Sequence, residues 1–97
     1  MCGIIVSDLS IPRTAYKFIE KRGPDNTNEV RYNDINFVHF LLHLTGEKRI
    51  QPIIDNNIAC IFNGEIYNYK EIFAEAKSDV DSILHIYKEK GVKGLRD

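Results

Sequence analysis

The sequence predicts an α+β fold with a largely antiparallel sheet. Three observations support this prediction: a short β-branched run at residues 3–6, two β-like stretches around Asn33-Asp34, and a helical apolar face that begins after Ser78. In chain order the elements read strand, helix, hairpin, strand, helix, which is typical of α+β domains. The 97 residues suit one small domain with a single core.

The first half of the chain begins with the strand at residues 3–6, which is expected to carry the N-terminus into the core. A helix is predicted from about residue 11 to residue 21, because apolar side chains recur there at helical spacing: Ile11, Ala15, Phe18 and Ile19. Residues 22–28 then read as a turn-rich loop. The hairpin that follows is predicted to pair residues 29–32 with residues 36–44.

The second half contains a predicted core strand at residues 58–62 and a short helical turn at residues 70–76. Ser78 and Asp81 indicate the capping-box-like start of a helix that ends at Gly91. One face of this helix is apolar: Val80, Ile83, Leu84 and Tyr87. Because that face needs a partner and few strands are present to cover it, the domain is expected to be truncated.

Composition excludes several classes of function. With 43% hydrophobic residues, 28% charged residues and a net charge of −1, the chain lacks the basic excess of a nucleic-acid binder. Neither a membrane-spanning apolar run nor a secretory signal is visible, so the expected location is cytoplasmic. Cys2 and Cys60 are too few for a disulfide framework, and Cys60 reads as a core residue of its strand.

Cys2 is the strongest candidate for chemistry. Initiator methionine is removable when a small residue follows it, so loss of Met1 gives Cys2 a free α-amine beside its thiol. An α-amine titrates at roughly 7.7–8.0 and can serve as the base for the nucleophile of the same residue. The alternative is that Cys2 is a small buried apolar residue at the start of a strand.

Asn63-Gly64 also allows two interpretations. Asn-Gly between apolar runs favours a tight hairpin turn, because both residues tolerate positive φ. The side-chain amide of Asn63 and the backbone N–H of Gly64 could instead donate hydrogen bonds to a tetrahedral oxyanion. Loss of one such donor typically costs about 2.7–4 kcal/mol of transition-state stabilisation.

Five motifs occur in one order along the chain: Met1-Cys2-Gly3-Ile4, Arg22-Gly23-Pro24-Asp25, Gln51-Pro52, Asn63-Gly64-Glu65-Ile66-Tyr67-Asn68 and Ser78-Asp79. Together they resemble the class II glutamine amidotransferases, in particular the glutaminase domain of asparagine synthetase. The resemblance runs over essentially the whole chain but covers only about the first half of that family's domain. Residues 1–97 are therefore expected to be the N-terminal part of such a domain.

The resemblance implies an N-terminal-nucleophile hydrolase fold, an αββα sandwich of two antiparallel sheets between helices. It implies that Cys2 attacks the carboxamide of L-glutamine, that Asn63 and Gly64 form the oxyanion hole, and that a glutamyl thioester forms as ammonia leaves. Glu65 is expected to lie in the substrate-binding stretch, and Asp79 to receive the α-ammonium group. For Asp79 a favourable interaction with the helix dipole is an alternative explanation.

One position departs from the family's pattern. Asparagine synthetases carry an arginine for the α-carboxylate of glutamine where this chain has Leu41, or Leu42 if the alignment shifts by one. A charge-assisted hydrogen bond is worth roughly 1.5–3 kcal/mol, so glutamine should bind at least about ten-fold more weakly unless Arg22 or Arg49 substitutes. The alternative functions are a catalytically impaired relative that acts in binding or assembly, and an amidase for substrates without a free α-carboxylate.

The resemblance also sets expectations for partners and cofactors. The ammonia is expected to feed a separate synthetase domain or subunit, and ATP and magnesium belong only there, so this segment is predicted to need no cofactor. His39 and His43 are spaced i, i+4, but without a third ligand they predict no metal site. Neither nucleic acid nor a membrane is an expected partner, and formation of a homo-oligomer is left open.

Overall fold

Antiparallel strands and short helices make up residues 2–44 and 47–96, the part of the chain that the computed structural model describes. This confirms the predicted α+β class. The described residues divide into two compact units: residues 2–44 with 50–64, and residues 47–49 with 65–96. The predicted removal of Met1 concerns a residue outside the described part. None of the described helices is long and apolar enough to cross a membrane.

The first unit is built on a three-stranded antiparallel sheet in the order β1–β3–β2. These strands span Gly3–Ser7 (β1), Asn26–Tyr32 (β2) and Ile35–Leu41 (β3). In the register, Gly3 lies opposite Phe40, and Asn26 lies opposite Leu41. The strand predicted at residues 3–6 is confirmed. Strand β3 is the central strand, and both β1 and β2 pair with it.

The predicted hairpin is also confirmed, because Asn33 and Asp34 join β2 to β3 with φ angles of 50° and 64°. Two successive positive φ angles are characteristic of the type I′ turn, whose twist matches that of the flanking strands. The prediction of a loop through residue 28 is wrong, since β2 already begins at Asn26. Its polar residues pair with β3, and alternate side chains become half-buried, which the turn-forming composition concealed.

One face of this sheet carries the core of the first unit. Tyr16, Val38 and Phe40 form a buried cluster, and the partly buried apolar side chains around it are Ile5, Ile11 and Ile19. The rings of Tyr16 and Phe40 meet edge to face at 5.2 Å between centroids. Such a pair contributes about 0.5–1.5 kcal/mol beyond the area it buries.

The helix predicted over residues 11–21 is only partly correct. Helix α1 spans Arg13–Tyr16, and a separate 3-10 turn spans Glu20–Arg22. The apolar spacing was misleading at Phe18, whose side chain is 88% exposed and contributes nothing to the buried face. Ile19 interrupts the helical backbone with φ −133°, and its side chain returns to the core.

A second, two-stranded antiparallel sheet belongs to the same unit. Its strands are β4, Ile53–Asp55, and β5, Ile58–Cys60, joined at Asn56 with φ 53°. Strand β5 ends before the predicted limit at residue 62, and β4 was not predicted because Pro52 marked that stretch as a loop. Cys60 is half-buried rather than a core residue, since this small sheet covers its side chain only in part.

The second unit is helical. Helices α2, α3 and α4 span Tyr69–Ile72, Asp79–Lys90 and Val92–Arg96. The carboxylate of Asp81 accepts hydrogen bonds from the backbone N–H groups of Lys77 (3.0 Å) and Ser78 (3.3 Å) at the start of α3. Gly91, at φ 65°, ends that helix, so the predicted start and stop signals are confirmed. Val80 and Leu84 are its buried apolar residues.

Candidate functional site

Cys2 lies directly before β1, with only 9% of its surface exposed. Its Sγ accepts a hydrogen bond from the backbone N–H of Leu42 at 3.3 Å, and the thiol lies 3.7 Å from the Leu42 carbonyl oxygen, to which it can donate. Leu42 follows the last residue of β3. The Cys2 thiol is therefore held at the end of the sheet by both backbone groups of one residue.

The Arg22-Gly23-Pro24-Asp25 loop packs against this end of the sheet. Nε of Arg22 donates a hydrogen bond to the carbonyl oxygen of Cys2 at 3.2 Å. A Cβ atom on Gly23 would lie 1.9 Å from the carbonyl oxygen of Phe40, so only glycine allows the loop to approach the backbone of β3. The contact of Gly23 with β3 therefore gives this loop a structural role.

Asp25 closes the same loop onto the residues that follow β3. Its backbone N–H donates to the carbonyl oxygen of Leu41 at 2.8 Å, and its carboxylate accepts from the backbone N–H of His43 at 2.8 Å. The two bonds bracket Leu42, the residue that holds the Cys2 sulfur. The loop therefore fixes the position of Cys2 in two ways, through Arg22 at Cys2 itself and through Asp25 at the end of β3.

Asn63 and Gly64 do not form the tight hairpin turn that was one of the two interpretations. Among the described residues, positive φ angles occur at Asn33, Asp34, Asn56 and Gly91. No strand follows Gly64 within the part of the chain that the structure describes. Asn63 is half-buried, and its side-chain oxygen is a buried polar atom without a hydrogen-bond partner. A buried oxygen of this kind can only accept a hydrogen bond, so it is not itself evidence for the donor role of the Asn63 amide.

Phe62, which precedes the Asn63-Gly64 pair, is held by two buried polar side chains. Its backbone N–H donates to Oε1 of Gln51 at 2.8 Å, and its carbonyl oxygen lies 3.3 Å from Nε2 of His39. Gln51 is 5% exposed and His39 is fully buried. Burial lowers the pKa of His39 below its ordinary value, and the hydrogen bond to Phe62 opposes that effect only in part.

Strand register places Cys2, the candidate nucleophile, on the same face of the three-stranded sheet as His39 and Leu41. Ile4 lies directly opposite His39, so the two side chains share a face. Continuing the alternation by one step in each strand puts Cys2 and Leu41 on that face as well. The Leu41 side chain is 5% exposed, so the position where the resemblance implies an arginine is apolar and covered.

The remaining predicted site residues, Glu65 and Asp79, belong to the second unit. Oδ2 of Asp79 accepts a hydrogen bond from the backbone N–H of Ile66 at 3.2 Å, so this carboxylate holds the segment that continues from Gly64 and Glu65. Asp79 is also the first residue of α3, where the helix dipole favours a negative charge. Their proposed contacts with substrate stay predictions.

The two arginines considered as substitutes for the missing cation differ in their surroundings. Arg49 belongs to the second unit, where its Nε pairs with Oδ1 of Asp81 at 3.0 Å. Arg22 belongs to the first unit and touches Cys2 through Nε alone among the described residues, which leaves both of its terminal nitrogens without a partner there. Of these two arginines, Arg22 is therefore the one that lies beside Cys2.

Sequence reasoning missed the contacts of His39 and Gln51. The sequence analysis considered His39 only as half of a histidine pair for a metal ion, and Gln51 only as part of a motif. A histidine inside the apolar run of residues 37–44 was the available signal, because a buried polar side chain must find a hydrogen-bond partner. In the described part of the chain no three His, Cys, Asp or Glu side chains are grouped to hold a metal ion.

Comparison with known proteins defines the class to which this site belongs. A family model described as a glutamine amidotransferase domain matches residues 1–97. The chain belongs to this family of glutamine amidotransferase domains, as its motifs predicted.

The curated relatives that it resembles are asparagine synthetases. Glutamine-hydrolyzing asparagine synthetase 2 of Bacillus subtilis (strain 168) is 31% identical, over 100% of this chain and 16% of the relative. The protein of the same name from Oryza sativa subsp. japonica is 31% identical over 94% of this chain and 19% of its own length. A probable glutamine-hydrolyzing asparagine synthetase of Dictyostelium discoideum is 35% identical over 75% of this chain and 15% of its own length.

The chain thus spans less than a fifth of the length of these relatives. No solved structure matches it.

Proposed function

We propose that this chain is the N-terminal part of an N-terminal-nucleophile glutaminase domain of the asparagine-synthetase type, which releases ammonia from L-glutamine through a Cys2 thioester. The observation that carries the proposal is the fixed position of the Cys2 thiol against Leu42 and beneath the Arg22 loop. A fixed thiol suits a nucleophile, because holding a reacting group in position lowers the entropic part of the barrier to attack.

The reaction requires removal of Met1, which exposes the α-amine of Cys2. This amine takes the thiol proton, and the thiolate attacks the side-chain carboxamide carbon of glutamine. The tetrahedral oxyanion accepts hydrogen bonds from the Asn63 side-chain amide and the Gly64 backbone N–H. When the C–N bond breaks, the ammonium group of Cys2 returns its proton to the departing ammonia. Water then hydrolyses the thioester to glutamate and restores the thiol.

Substrate recognition follows from the charges of free glutamine. Asp79, with Glu65 nearby in sequence, supplies a carboxylate for the α-ammonium group. The α-carboxylate needs a cation that Leu41 cannot provide, and we assign it to the terminal nitrogens of Arg22. A guanidinium group suits this task because its paired N–H groups match a carboxylate geometrically.

The ammonia-consuming partner follows from the relatives, whose names describe glutamine-hydrolyzing synthetases. We propose that a synthetase domain or subunit accepts the ammonia, and that ATP and magnesium act there and not in this segment. The proposed location is the cytoplasm.

The direct test is steady-state release of glutamate and ammonia from L-glutamine by the purified chain, compared with Cys2→Ala and Cys60→Ala variants. We expect equal amounts of the two products from the wild type and the Cys60→Ala variant, and none from Cys2→Ala. Absence of hydrolysis by a folded wild-type chain whose Met1 is removed would instead support the impaired relative that acts in binding or assembly.

A further inference from the structure

We propose that His39 and Gln51 are positioning residues that orient the oxyanion-binding pair by holding both backbone groups of Phe62. The inference rests on the proposed function, because it takes Asn63 and Gly64 to be the oxyanion donors. It adds two buried side chains that neither touch substrate nor act in proton transfer.

Phe62 lacks partners of the ordinary kind for its backbone. Strand β5 ends at Cys60, so Phe62 lies beyond its hydrogen-bond ladder. Buried backbone N–H and C=O groups are nearly always paired, and an unpaired one costs about 1–3 kcal/mol. Gln51 accepts from the N–H at 2.8 Å, and His39 donates to the carbonyl oxygen at 3.3 Å. The side chains of Gln51 and His39 therefore pair the backbone groups of Phe62 that a neighbouring strand would pair within a sheet.

Both side chains are anchored to the centre of the three-stranded sheet. His39 lies in β3, the middle strand, where its neighbours across the sheet are Ile4 and Asn28. The side-chain amide of Asn28 in turn donates to the backbone carbonyl oxygen of Gln51 at 2.9 Å. His39 and Asn28 are thus paired across the sheet. His39 contacts Phe62 directly, and Asn28 holds the Gln51 that contacts it.

Holding Phe62 sets the direction of the donors that follow it. The Phe62 carbonyl and the Asn63 N–H belong to one planar peptide unit, so fixing this carbonyl fixes the orientation of the Asn63 Cα. The side-chain amide of Asn63 projects from that atom, and the Gly64 N–H belongs to the next peptide unit. The ring of Phe62 also covers Gly64, since a Cβ there would lie 2.8 Å from its Cζ.

The protonation of His39 suits this role. A carbonyl oxygen can only accept, so Nε2 must carry the proton, and the neutral ring then leaves Nδ1 unprotonated. Nδ1 is buried without a hydrogen-bond partner, and a second proton at this atom would be a desolvated charge. The ring therefore acts as a neutral single donor directed at Phe62.

Two matched pairs of variants test the proposal. Glutamine can place a side-chain N–H where Nε2 of histidine lies, whereas asparagine is too short, so His39→Gln should keep the bond that His39→Asn loses. Gln51→Glu keeps an acceptor oxygen for the Phe62 N–H, and Gln51→Leu removes it. Circular dichroism establishes that each variant is folded.

The first readout is amide hydrogen exchange at Phe62, Asn63 and Gly64, which does not depend on activity. We expect about ten-fold faster exchange or more in His39→Asn and Gln51→Leu, and near-wild-type exchange in His39→Gln and Gln51→Glu. Equal exchange within each pair would overturn the assigned contacts, whether or not the chain hydrolyses glutamine.

The second readout separates positioning from general damage. We expect kcat for glutamine hydrolysis to fall about ten-fold or more in His39→Asn and Gln51→Leu, while KM and the rate of Cys2 alkylation by iodoacetamide stay unchanged. Alkylation needs a reactive thiol but no oxyanion hole. If amide exchange becomes faster but kcat does not fall, His39 and Gln51 hold Phe62 but do not position the donors of Asn63 and Gly64. If the wild type hydrolyses no glutamine, the proposed function fails instead, and the exchange data still decide the contact.

Discussion

The side chain of Arg22 donates a hydrogen bond from Nε to the carbonyl oxygen of Cys2 at 3.2 Å. This contact joins a loop arginine to the backbone of the candidate nucleophile across twenty residues of sequence. Among residues 2–44 and 47–96, the two terminal nitrogens of the guanidinium group stay available for another acceptor. A substrate carboxylate close to Cys2 is the acceptor that the proposed reaction supplies.

Replacement of Arg22 by glutamine should raise KM for L-glutamine by about ten-fold or more, because a charge-assisted hydrogen bond to a carboxylate contributes roughly 1.5–3 kcal/mol. The matched control is Arg49→Gln, which removes an equal charge from the pair with Asp81 in the second unit. Steady-state kinetics check this prediction. A rise in KM for the Arg49 variant with none for the Arg22 variant would reverse the assignment.

Replacement of Asn63 by alanine should lower kcat by about 10²–10³ with a small change in KM, because an oxyanion donor acts mainly in the transition state. Asn57→Ala is the control, since Asn57 is an exposed residue of the turn between β4 and β5. Kinetics with L-glutamine measure both variants. Equal kcat values for the two would return Asn63 to a structural role.

Replacement of Gly23 by alanine should strongly destabilise the first unit. The added Cβ would meet the carbonyl oxygen of Phe40 at 1.9 Å, so the loop must withdraw from β3 and release its contact with Cys2. We expect a loss of more than about 2 kcal/mol in the free energy of unfolding, whereas the exposed neighbour Lys21→Ala should change it by less than about 0.5 kcal/mol. Urea denaturation compares the two, and similar midpoints would contradict the close approach.

Stability should fall as the pH drops below about 6.5, the ordinary pKa of histidine. Burial lowers the pKa of His39 in the folded chain, so the unfolded chain binds the proton more readily. The stability that the neutral His39 contributes is therefore fully present above the pKa that histidine has in the unfolded chain. It is lost as the pH falls from there towards the lower pKa of His39 in the folded chain.

Urea midpoints at pH 7.5 and pH 5.5 check this prediction for the wild type and for His39→Gln, which cannot titrate. We expect the wild type to lose more stability than the variant over that interval. The two proteins differ only at residue 39, so the comparison isolates the effect of His39. An identical loss in both proteins would show that His39 is not the group responsible.

Local signals predicted the parts of the fold that local chemistry determines. Asn33-Asp34 marked a turn because few residues tolerate positive φ, and Ser78, Asp81 and Gly91 marked the two ends of α3. Strand β2 was shortened in prediction because its polar residues gain their strand conformation from pairing with β3. That pairing is a tertiary effect, which composition within a short window does not reveal.

The candidate site shows the same limits. Cys2, Asn63 and Gly64 were proposed from residue chemistry and from the order of the motifs, and their roles stay predictions. The tight turn at Asn63-Gly64 was a wrong interpretation, because the dipeptide permits positive φ angles that the backbone there does not adopt. His39 lies 23 positions from Phe62 and Gln51 lies 11 positions from it, so no local sequence pattern contains these contacts.

The central claim is that Cys2 is a live N-terminal nucleophile in a pocket that accepts glutamine. The most direct measurement is the intact mass of the chain before and after exposure to a glutamine-shaped electrophile, with Cys2→Ala and Cys60→Ala alongside. We expect loss of Met1 and one adduct that is absent from Cys2→Ala and present in Cys60→Ala. Retention of Met1, or an adduct that does not depend on Cys2, would contradict it.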